Sequence, residues 1–478
     1  MHFWARSLSC THAIALIGLN CIAVFTGVAA SGADTPRNSN DHALDVITRD
    51  ICVIGGGAAG TYAAIRLGDM NQSVIVIERK GRLGGNTQTF VDPVTGLKAE
   101  IGVDVWHNLD IVKNFFSRFN VPLTTAPATQ NLKTEFIDFS TGAQLNGYPG
   151  NQGNMTAAFQ AYAAQLAKYP FLDDNYQLPN AVPADLLILF GAFLAKYNIS
   201  AAMTPLIDYA AGSGNFARHP ALYTMKLLGL SLLNGIENGF LTTARHDNSE
   251  VYRNAQTALL ATGSLLLNSS VVATDRGHDG GLVRLTVSTP SGHKTIEAKK
   301  IIFAVPPTLE NLRPFQIDGE ELSVFEQFST TGYYTGLLRN SGDPANIALL
   351  SRGFNTKYHI PVLPNVYALY PSSIPGLQNV YYGSETILPV SQVMDNIITT
   401  VRRIFPNVTA TAPPEFAVIA SHSPFMLTVP SSAIEAGFYR NLNKLQGYRN
   451  MYYTGATFQT QDSSLIWQFT ELLLPRVV

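Results

Sequence analysis

An α/β fold, α+β when the whole chain is counted, is predicted by three separated segments of the sequence. Between 49 and 86 a β-branched run, a glycine-rich turn, a helical stretch and a second β-branched run follow one another. Apolar runs alternate with Gly and Asp turns over 261–309, and an apolar strand with a helical tail occupies 449–478. Strands alternating with helices favour a parallel sheet with helices on its faces.

The first segment carries a glycine motif of known spacing. Gly55, Gly57 and Gly60 form G-x-G-x-x-G directly after the β-branched run 51–54, where a tight turn delivers the chain into a helix. The free N–H groups at such a helix start bind a pyrophosphate. Glu78 ends the next strand 78 − 55 = 23 positions later, near the roughly 20-residue offset of a ribose-binding acid, and its charge disfavours a 2′-phosphate. A Rossmann-type dinucleotide site is therefore predicted, contacted by Gly55, Gly57, Ala58, Ala59, Gly60, Glu78 and Arg79.

A second loop, Gly-Arg-Leu-Gly-Gly at 81–85, decides between cofactors. Arg82, Gly84 and Gly85 would give the pyrophosphate donors from its far side, and a domain that binds only NAD has no use for such a loop. FAD is therefore predicted. With this loop after the terminal Glu, the chain resembles the flavin amine oxidase superfamily, whose FAD-binding domain is of the glutathione reductase/amine oxidase kind.

The resemblance implies roles for residues far from the glycine motif. Val272 matches a position whose backbone contacts the adenine, and Gly102 matches a position of close approach to the isoalloxazine. Gly455 matches the C-terminal glycine, while Ala456 stands where the superfamily has a glutamate that binds the ribitol. The helix after Gln461 is expected to direct its N-terminus, the positive end of its dipole, at the flavin pyrimidine.

The domain boundaries follow from these segments. An FAD-binding domain in three pieces is expected to alternate with a mixed α+β substrate domain in two, after a leader that is not part of the fold. The expected ranges are a signal peptide at 1–30, a disordered lead-in at 31–48, the FAD-binding domain at 49–105, 258–309 and 449–478, and the substrate domain at 106–257 and 310–448.

The N-terminus predicts entry into the secretory pathway, to a secreted or lumenal location. Arg6 precedes an apolar stretch that ends in small residues, which is typical of a cleaved signal; an uncleaved anchor is the alternative and the one route to membrane contact. If the signal is cleaved, Cys52 is the single cysteine of the mature chain, and we expect it in the core. Possible N-glycosylation sites are Asn71, Asn154, Asn198, Asn268 and Asn407.

Composition excludes one class of partner. The net charge is −2 and 14% of residues are charged, with no basic stripe, so nucleic-acid binding is not expected. Neither HExxH nor a paired-cysteine motif predicts a metal, and G-x-S-x-G is absent.

A flavin carries the redox chemistry itself, so no universal acid or base is expected. His107, next to Trp106, is the candidate base. The alternative is a packed tryptophan beside a hydrogen-bonded histidine without a catalytic role.

Within the superfamily, the leader, the turn GGGAAGTYAA and the ending YYTGATFQTQDSSLIW are most similar to the fungal β-cyclopiazonate dehydrogenase family. That similarity implies a two-electron oxidation of a hydrophobic secondary metabolite, a terpenoid or prenylated polyketide or an indole alkaloid, often with ring closure and with O2 as electron acceptor. A secreted amine or amino-acid oxidase has the same cofactor residues and remains open. A flavin-binding protein without turnover is the third alternative.

Overall fold

A computed structural model describes residues 46–126, 132–148, 155–277, 281–342, 344 and 346–478. The expected signal peptide, the lead-in up to residue 45 and the sequon Asn154 lie outside these residues. The strands of the described chain are β1 Val46–Ile54, β2 Val74–Ile77, β3 Thr89–Val91, β4 Lys98–Glu100, β5 Leu123–Thr125, β6 Lys133–Asp138, β7 Ala143–Gln144, β8 Leu241–Thr243, β9 Leu265–Leu266, β10 Ser270–Asp275, β11 Val283–Thr289, β12 Gly292–Phe303, β13 Ser329–Thr330, β14 Gly332–Arg339, β15 Ile347–Ser351, β16 Asn365–Pro371, β17 Gln378–Ser384, β18 Glu415–Ser421, β19 Leu427–Thr428 and β20 Met451–Tyr453.

Helices connect these strands and form most of the region between β7 and β9. They are α1 Ala58–Asp69, α2 Asp110–Arg118, α3 Met155–Leu166, α4 Phe171–Asp174, α5 Ala184–Leu187, α6 Phe190–Lys196, α7 Met203–Tyr209, α8 Ala221–Leu227, α9 Leu230–Asn238, α10 Glu250–Ala261, α11 Leu309–Leu312, α12 Gly319–Phe325, α13 Val390–Ile404, α14 Pro406–Thr411, α15 Ser431–Glu435, α16 Phe438–Lys444 and α17 Ser463–Val477.

The first sheet collects strands from both ends of the chain. Its order is β10-β11-β12-β1-β2-β9, and β20 pairs with the end of β12. The pairs around β1 and β2 are parallel, whereas β10, β11 and β12 form an antiparallel meander. The run Ile51–Ile54 is buried throughout, as expected of a parallel strand covered on both faces. The α/β class with a Rossmann-type domain is confirmed.

The second sheet belongs to the other half of the fold. Its order is β18-β14-β17-β16-β15-β6-β7, with the pair β15-β6 parallel and the others antiparallel. Helix α13 covers one face through the buried side chains of Val393, Ile397 and Val401. The opposite face therefore remains for a cavity.

The boundaries between the two halves differ from the expected ranges. β1 begins at Val46, inside the expected lead-in, because its first residues pair with β12 from Thr295 onward. Helix α2 packs on the nucleotide-binding half: the Phe115 ring lies 5.1 Å from Tyr62 on α1 and 4.7 Å from Trp467 on α17. The chain after residue 105 thus contributes to the core of the first domain before it enters the second.

The structure also shows the exposure of the sequons, the burial of the cysteine in β1 and the character of the helices. The sequon asparagines Asn71, Asn198, Asn268 and Asn407 are exposed. Cys52 is fully buried, and burial raises the pKa of its thiol. Across the described ranges no helix combines the length and the apolar character needed to cross a bilayer.

Candidate FAD site and substrate chamber

One continuous cavity of about 1330 Å³ joins the two halves of the fold. It begins at the carboxyl ends of the parallel strands, where open α/β sheets bind their ligands, and continues under the second sheet. Its volume exceeds the ~300–1,000 Å³ typical of a single small-ligand pocket. A dinucleotide and a second molecule can therefore be held side by side.

Gly55, at the start of the first glycine loop, has no room for a side chain. Gly55 has φ +95°, and a Cβ there would lie 2.4 Å from Val305 Cγ1. Gly55, Gly57, Ala58 and Ala59 line the cavity, as predicted for contacts to the dinucleotide. Gly60 does not line it: a Cβ there would lie 1.9 Å from the Gly55 carbonyl oxygen. Its predicted contact to the cofactor is therefore corrected, because Gly60 instead lets α1 pack closely on the turn.

Glu78 lies on the cavity wall with 7% of its surface exposed. Its Oε2 accepts from the Gly56 N–H at 2.7 Å, and its Oε1 accepts from the Lys80 N–H at 2.7 Å. Each oxygen keeps a lone pair free, so the carboxylate can accept from the two hydroxyls of a ribose. Arg79, the next residue, also lines the cavity.

In the second loop, Gly84 and Gly85 line the cavity but Arg82 does not. The Arg82 guanidinium donates to the carbonyl oxygens of residues 83, 85 and 87 at 3.1, 3.0 and 2.9 Å, and to Gln88 Oε1 at 3.0 Å. These bonds hold the loop together and occupy the donors of Arg82, which favours a structural role over the predicted contact with the pyrophosphate.

Lys80 is a cofactor-side cation that sequence reasoning missed. It lines the cavity, and burial, together with the nearby charges of Arg82 and Arg79, lowers the pKa of its ammonium. A partly desolvated cation beside the ribose-binding Glu78 suits an anionic ligand such as a pyrophosphate. Its position two residues after the strand-ending acid was the available signal.

The predicted adenine contact at Val272 lies next to a β-bulge. Val271 lines the cavity, whereas Val272 does not and is 48% exposed. Val271 pairs with Val287 and Ala273 pairs with Thr286, so Val272 is the extra residue of the bulge. The side chain of Val272 thus points away from the cavity, and the contact predicted for its backbone stays a prediction.

The remaining predicted cofactor positions lie on the cavity wall. Gly102, Gly455 and Ala456 all line it. A Cβ on Gly102 would lie 1.8 Å from the carbonyl oxygen of Asn86, so the hairpin after the second loop returns to touch that loop. Gly455 has φ +111°, and a Cβ on it would meet no protein atom within 4 Å.

Helix α17 begins at the cavity beside these residues. Its N-cap Asp462 lines the cavity and accepts from the Leu465 N–H at 2.9 Å. The helix is 15 residues long, and its positive end would stabilise negative charge on a reduced flavin.

His107 does not line the cavity and is 4% exposed. Its ring Nδ1 is hydrogen-bonded to Ser231 Oγ, and its ring Nε2 lies 3.4 Å from Asp462 Oδ2. Its backbone N–H donates to Ser464 Oγ. These contacts favour the alternative of a hydrogen-bonded packing residue over the predicted catalytic base. Its partners connect α9 to the start of α17.

The cavity beneath the second sheet is a chamber walled by tyrosines and a few ionic groups. Burial raises the pKa of each tyrosine, so all remain neutral hydroxyl donors. Arg352 pairs with Asp208 at 2.9 Å and is 1% exposed, so that cation is already neutralised. We call this part the substrate chamber; the residues that define it here are Asp104, Asp208, Tyr333, Arg352, Tyr367, Tyr370 and Tyr381.

The residues present fit FAD. Gly55, Gly85 and Gly102 bring bare backbone to the cavity wall at positions where a Cβ would collide with neighbouring protein atoms. Glu78 would provide the ribose acceptor, and the start of α17 would provide the positive end for the flavin. Fold and site together define a flavoprotein whose cavity has a cofactor part and a substrate chamber. The chain belongs to the flavin-containing amine oxidoreductase family, whose model matches residues 58–461.

Curated relatives cover almost the whole chain. The FAD-dependent oxidoreductase oblC of Cochliobolus heterostrophus is 38% identical, over 94% of this chain and 96% of that protein. The FAD-dependent oxidoreductase dbaF of Emericella nidulans is 39% identical, again over 94% and 96%. A β-cyclopiazonate dehydrogenase of Aspergillus flavus is 28% identical, over 98% and 99%. The predicted family and the FAD cofactor are confirmed, and the protein is an FAD-dependent oxidoreductase.

Solved structures show the same fold at low sequence identity. A fatty acid isomerase from P. acnes has a TM-score of 0.72 at 20% identity, covering 90% of this chain and 98% of that one. Putrescine oxidase bound to putrescine has a TM-score of 0.62 at 15% identity, covering 90% and 99%. Because both identities are low, these likenesses describe the fold and not the substrate.

Proposed function

We propose that this FAD-dependent oxidoreductase removes two electrons from a hydrophobic secondary metabolite, a terpenoid or prenylated polyketide or an indole alkaloid, and that O2 accepts the electrons. The observation that carries the proposal is the substrate chamber. Tyr333, Tyr367, Tyr370 and Tyr381 offer ring faces and neutral hydroxyls to a large aromatic or polycyclic molecule bearing oxygen or nitrogen. The relationship to a β-cyclopiazonate dehydrogenase supports the same class.

The chain's own part in such an oxidation is binding and placement. FAD, when bound, accepts a hydride from the substrate. The tyrosine rings bury the apolar body of the substrate, and their hydroxyls fix its polar edge. The start of α17, capped by Asp462, stabilises the negative charge that reduction creates. Oxidative ring closure follows when the oxidised carbon, now electron-poor, meets a nucleophilic carbon of the same molecule held in the chamber.

Anaerobic reduction of the bound flavin tests this proposal. The holoenzyme is mixed with β-cyclopiazonate and other indole alkaloids, with prenylated polyketides, and separately with putrescine, benzylamine and L-amino acids. We expect bleaching of the flavin absorbance by a member of the first group and none by the amines and amino acids. Admission of air is expected to restore the absorbance with release of hydrogen peroxide.

A secreted amine or amino-acid oxidase is the second candidate, and one observation favours it. The carboxylate of Asp104 stands among tyrosine rings, an arrangement that also binds a substrate ammonium. Rapid bleaching by a simple amine or amino acid in the same screen would select this candidate.

We also propose that the protein enters the secretory pathway. The apolar N-terminal stretch and the exposed sequons at Asn71, Asn198, Asn268 and Asn407 support this proposal. Expression in a eukaryotic host, N-terminal sequencing of the product and endoglycosidase digestion test it. An intact N-terminus without glycan would contradict it.

A further inference from the structure

Asp104 is a carboxylate in the substrate chamber without a structural reason to be there. It lines the cavity and makes no ion pair within the described residues. Its Oδ2 accepts from the Tyr381 hydroxyl at 3.1 Å. Its side chain is exposed to the cavity, where a ligand can reach it, and ionisable groups with perturbed pKa values in a cleft concentrate at functional sites.

The backbone around Asp104 is held rigidly. Asn248, which is fully buried, donates from Nδ2 to the carbonyl oxygens of Val103 and Asp104 at 2.8 and 3.0 Å. The Thr242 hydroxyl donates to the same Asp104 carbonyl at 3.3 Å. The side chain therefore enters the chamber from a fixed point.

That fixed point adjoins the cofactor loops. Gly102, two residues before Asp104, approaches the carbonyl of Asn86 so closely that a Cβ would lie 1.8 Å from it. Asn86 directly follows Gly85 and lines the same cavity. Asp104 thus stands where the cofactor part of the cavity passes into the substrate chamber.

We propose that the Asp104 carboxylate, positioned by the Tyr381 hydroxyl, accepts the proton that the substrate loses as it is oxidised. The inference deepens the proposed function and rests on it only for the presence of an O–H or N–H group beside the oxidised carbon. The substrate C–H bond breaks and delivers a hydride, with both electrons, to FAD. The neighbouring O–H or N–H bond breaks, its proton goes to Asp104, and its electron pair forms the new C=O or C=N bond. O2, the acceptor of the proposed function, reoxidises the flavin.

The electrostatics of the chamber suit a proton acceptor. Burial raises the pKa of Asp104 to about 6, and the hydrogen bond from Tyr381 opposes part of that rise. The ionisable groups that face it are Tyr333 on β14, Tyr370 on β16, Tyr381 on β17 and Glu100 on its own hairpin. The tyrosines stay neutral. Burial raises the pKa of Glu100 to about 8, but Glu100 does not line the cavity, so Asp104 is the carboxyl group among these that changes charge on the chamber wall.

Sulfite tests the position of this charge without a substrate, because sulfite adds reversibly to N5 of oxidised flavins and is repelled by a nearby carboxylate. The dissociation constant of sulfite is measured by flavin absorbance for the holoenzyme and for Asp104→Asn at pH 5 and pH 8. We expect the two proteins to agree at pH 5 and the variant to bind at least about tenfold more tightly at pH 8. Equal affinities at pH 8 would overturn the proposal.

Two further variants sharpen the result. Tyr381→Phe removes the hydrogen bond that lowers the pKa of Asp104, so the pH midpoint of the sulfite effect should rise; an unmoved midpoint counts against the positioning role. Asp110→Asn, in which the replaced side chain is 92% exposed, is the matched control and should bind sulfite as the parent does.

The substrate screen of the proposed function then tests proton transfer, with the compound that reduces the flavin fastest. Asp104→Asn should abolish the rise in reduction rate between about pH 5 and pH 7, and a retained rise overturns the proton-acceptor role. A screen without any reducing compound would refute the proposed substrate class while leaving the sulfite result intact.

Discussion

Gly57 and Gly85 lie in direct contact, one in each glycine loop: a Cβ on Gly85 would be 2.9 Å from the Gly57 Cα. The two loops therefore close on each other across 28 residues of sequence, the difference 85 − 57. Both residues line the cavity. We therefore expect a bound pyrophosphate between the N-terminus of α1 and the second loop.

Two glycines of α1 provide a matched test of the close packing at the first loop. Gly60→Ala places a Cβ 1.9 Å from the Gly55 carbonyl oxygen, so we expect a loss of about 1–3 kcal/mol of stability and weaker FAD binding. Gly68→Ala meets nothing within 4 Å in the same helix and should gain up to about 1 kcal/mol. Chemical denaturation and FAD titration of both variants measure these effects. Tight FAD binding by Gly60→Ala would refute the packing argument.

Substitutions of Lys80, just before the second loop, and of Arg82, within it, should differ in their effects on FAD binding and stability. Lys80→Met removes a cavity-lining ammonium and should weaken FAD binding by about tenfold with little change in stability. Arg82→Met removes the donors that hold the loop and should lower the melting temperature of the apoprotein as well. Isothermal titration and thermal unfolding distinguish the two. The opposite assignment of effects would restore Arg82 as the pyrophosphate ligand.

His107 should matter for stability and not for chemistry. His107→Leu leaves Ser231 and Asp462 without their buried partner, which should cost about 1–3 kcal/mol. The pH dependence of flavin reduction should stay that of the parent, because the ring does not reach the cavity. Rapid-reaction traces over the pH range provide the comparison. A variant that folds and loses the pH dependence would return His107 to the catalytic role.

Asp104 should also affect the pH dependence of stability. Its pKa in the folded protein, about 6, lies above its ordinary value of 3.8, so the folded state holds the proton more tightly. This tighter proton binding stabilises the folded state fully below about pH 4, and the stabilisation is lost as the pH rises through about 6. The melting temperature of Asp104→Asn, relative to the parent, should therefore increase between pH 4 and pH 7 and then stay level. Asp110→Asn should show no such trend.

Local patterns predicted the cofactor half of the site because its residues are close in sequence. Gly55, Gly57 and Glu78 follow from the order of strand, turn, helix and strand, and each lies on the cavity wall. The side chains of β10 that face the cavity could not be predicted, because a single bulge residue, Val272, shifts the alternation and nothing in the local sequence marks the bulge.

The substrate chamber could not be predicted in the same way. Asp104 and Tyr381 are 277 residues apart, and their contact depends on how the second sheet pairs its strands. Neither residue belongs to a motif. The bonds of Arg82 to the loop carbonyls could not be predicted either, because a charged residue in a loop motif is interpreted as a ligand contact from sequence alone.

The visible absorbance spectrum of the purified protein after incubation with FAD and gel filtration tests the central claim most directly. If Glu78, Gly85 and the start of α17 surround one dinucleotide in the cavity, flavin should elute with the protein in equimolar amount. The Gly85→Ala variant, whose Cβ would meet Gly57 at 2.9 Å, should elute with much less. A colourless protein peak from the parent chain, with all flavin eluting separately, would contradict the account.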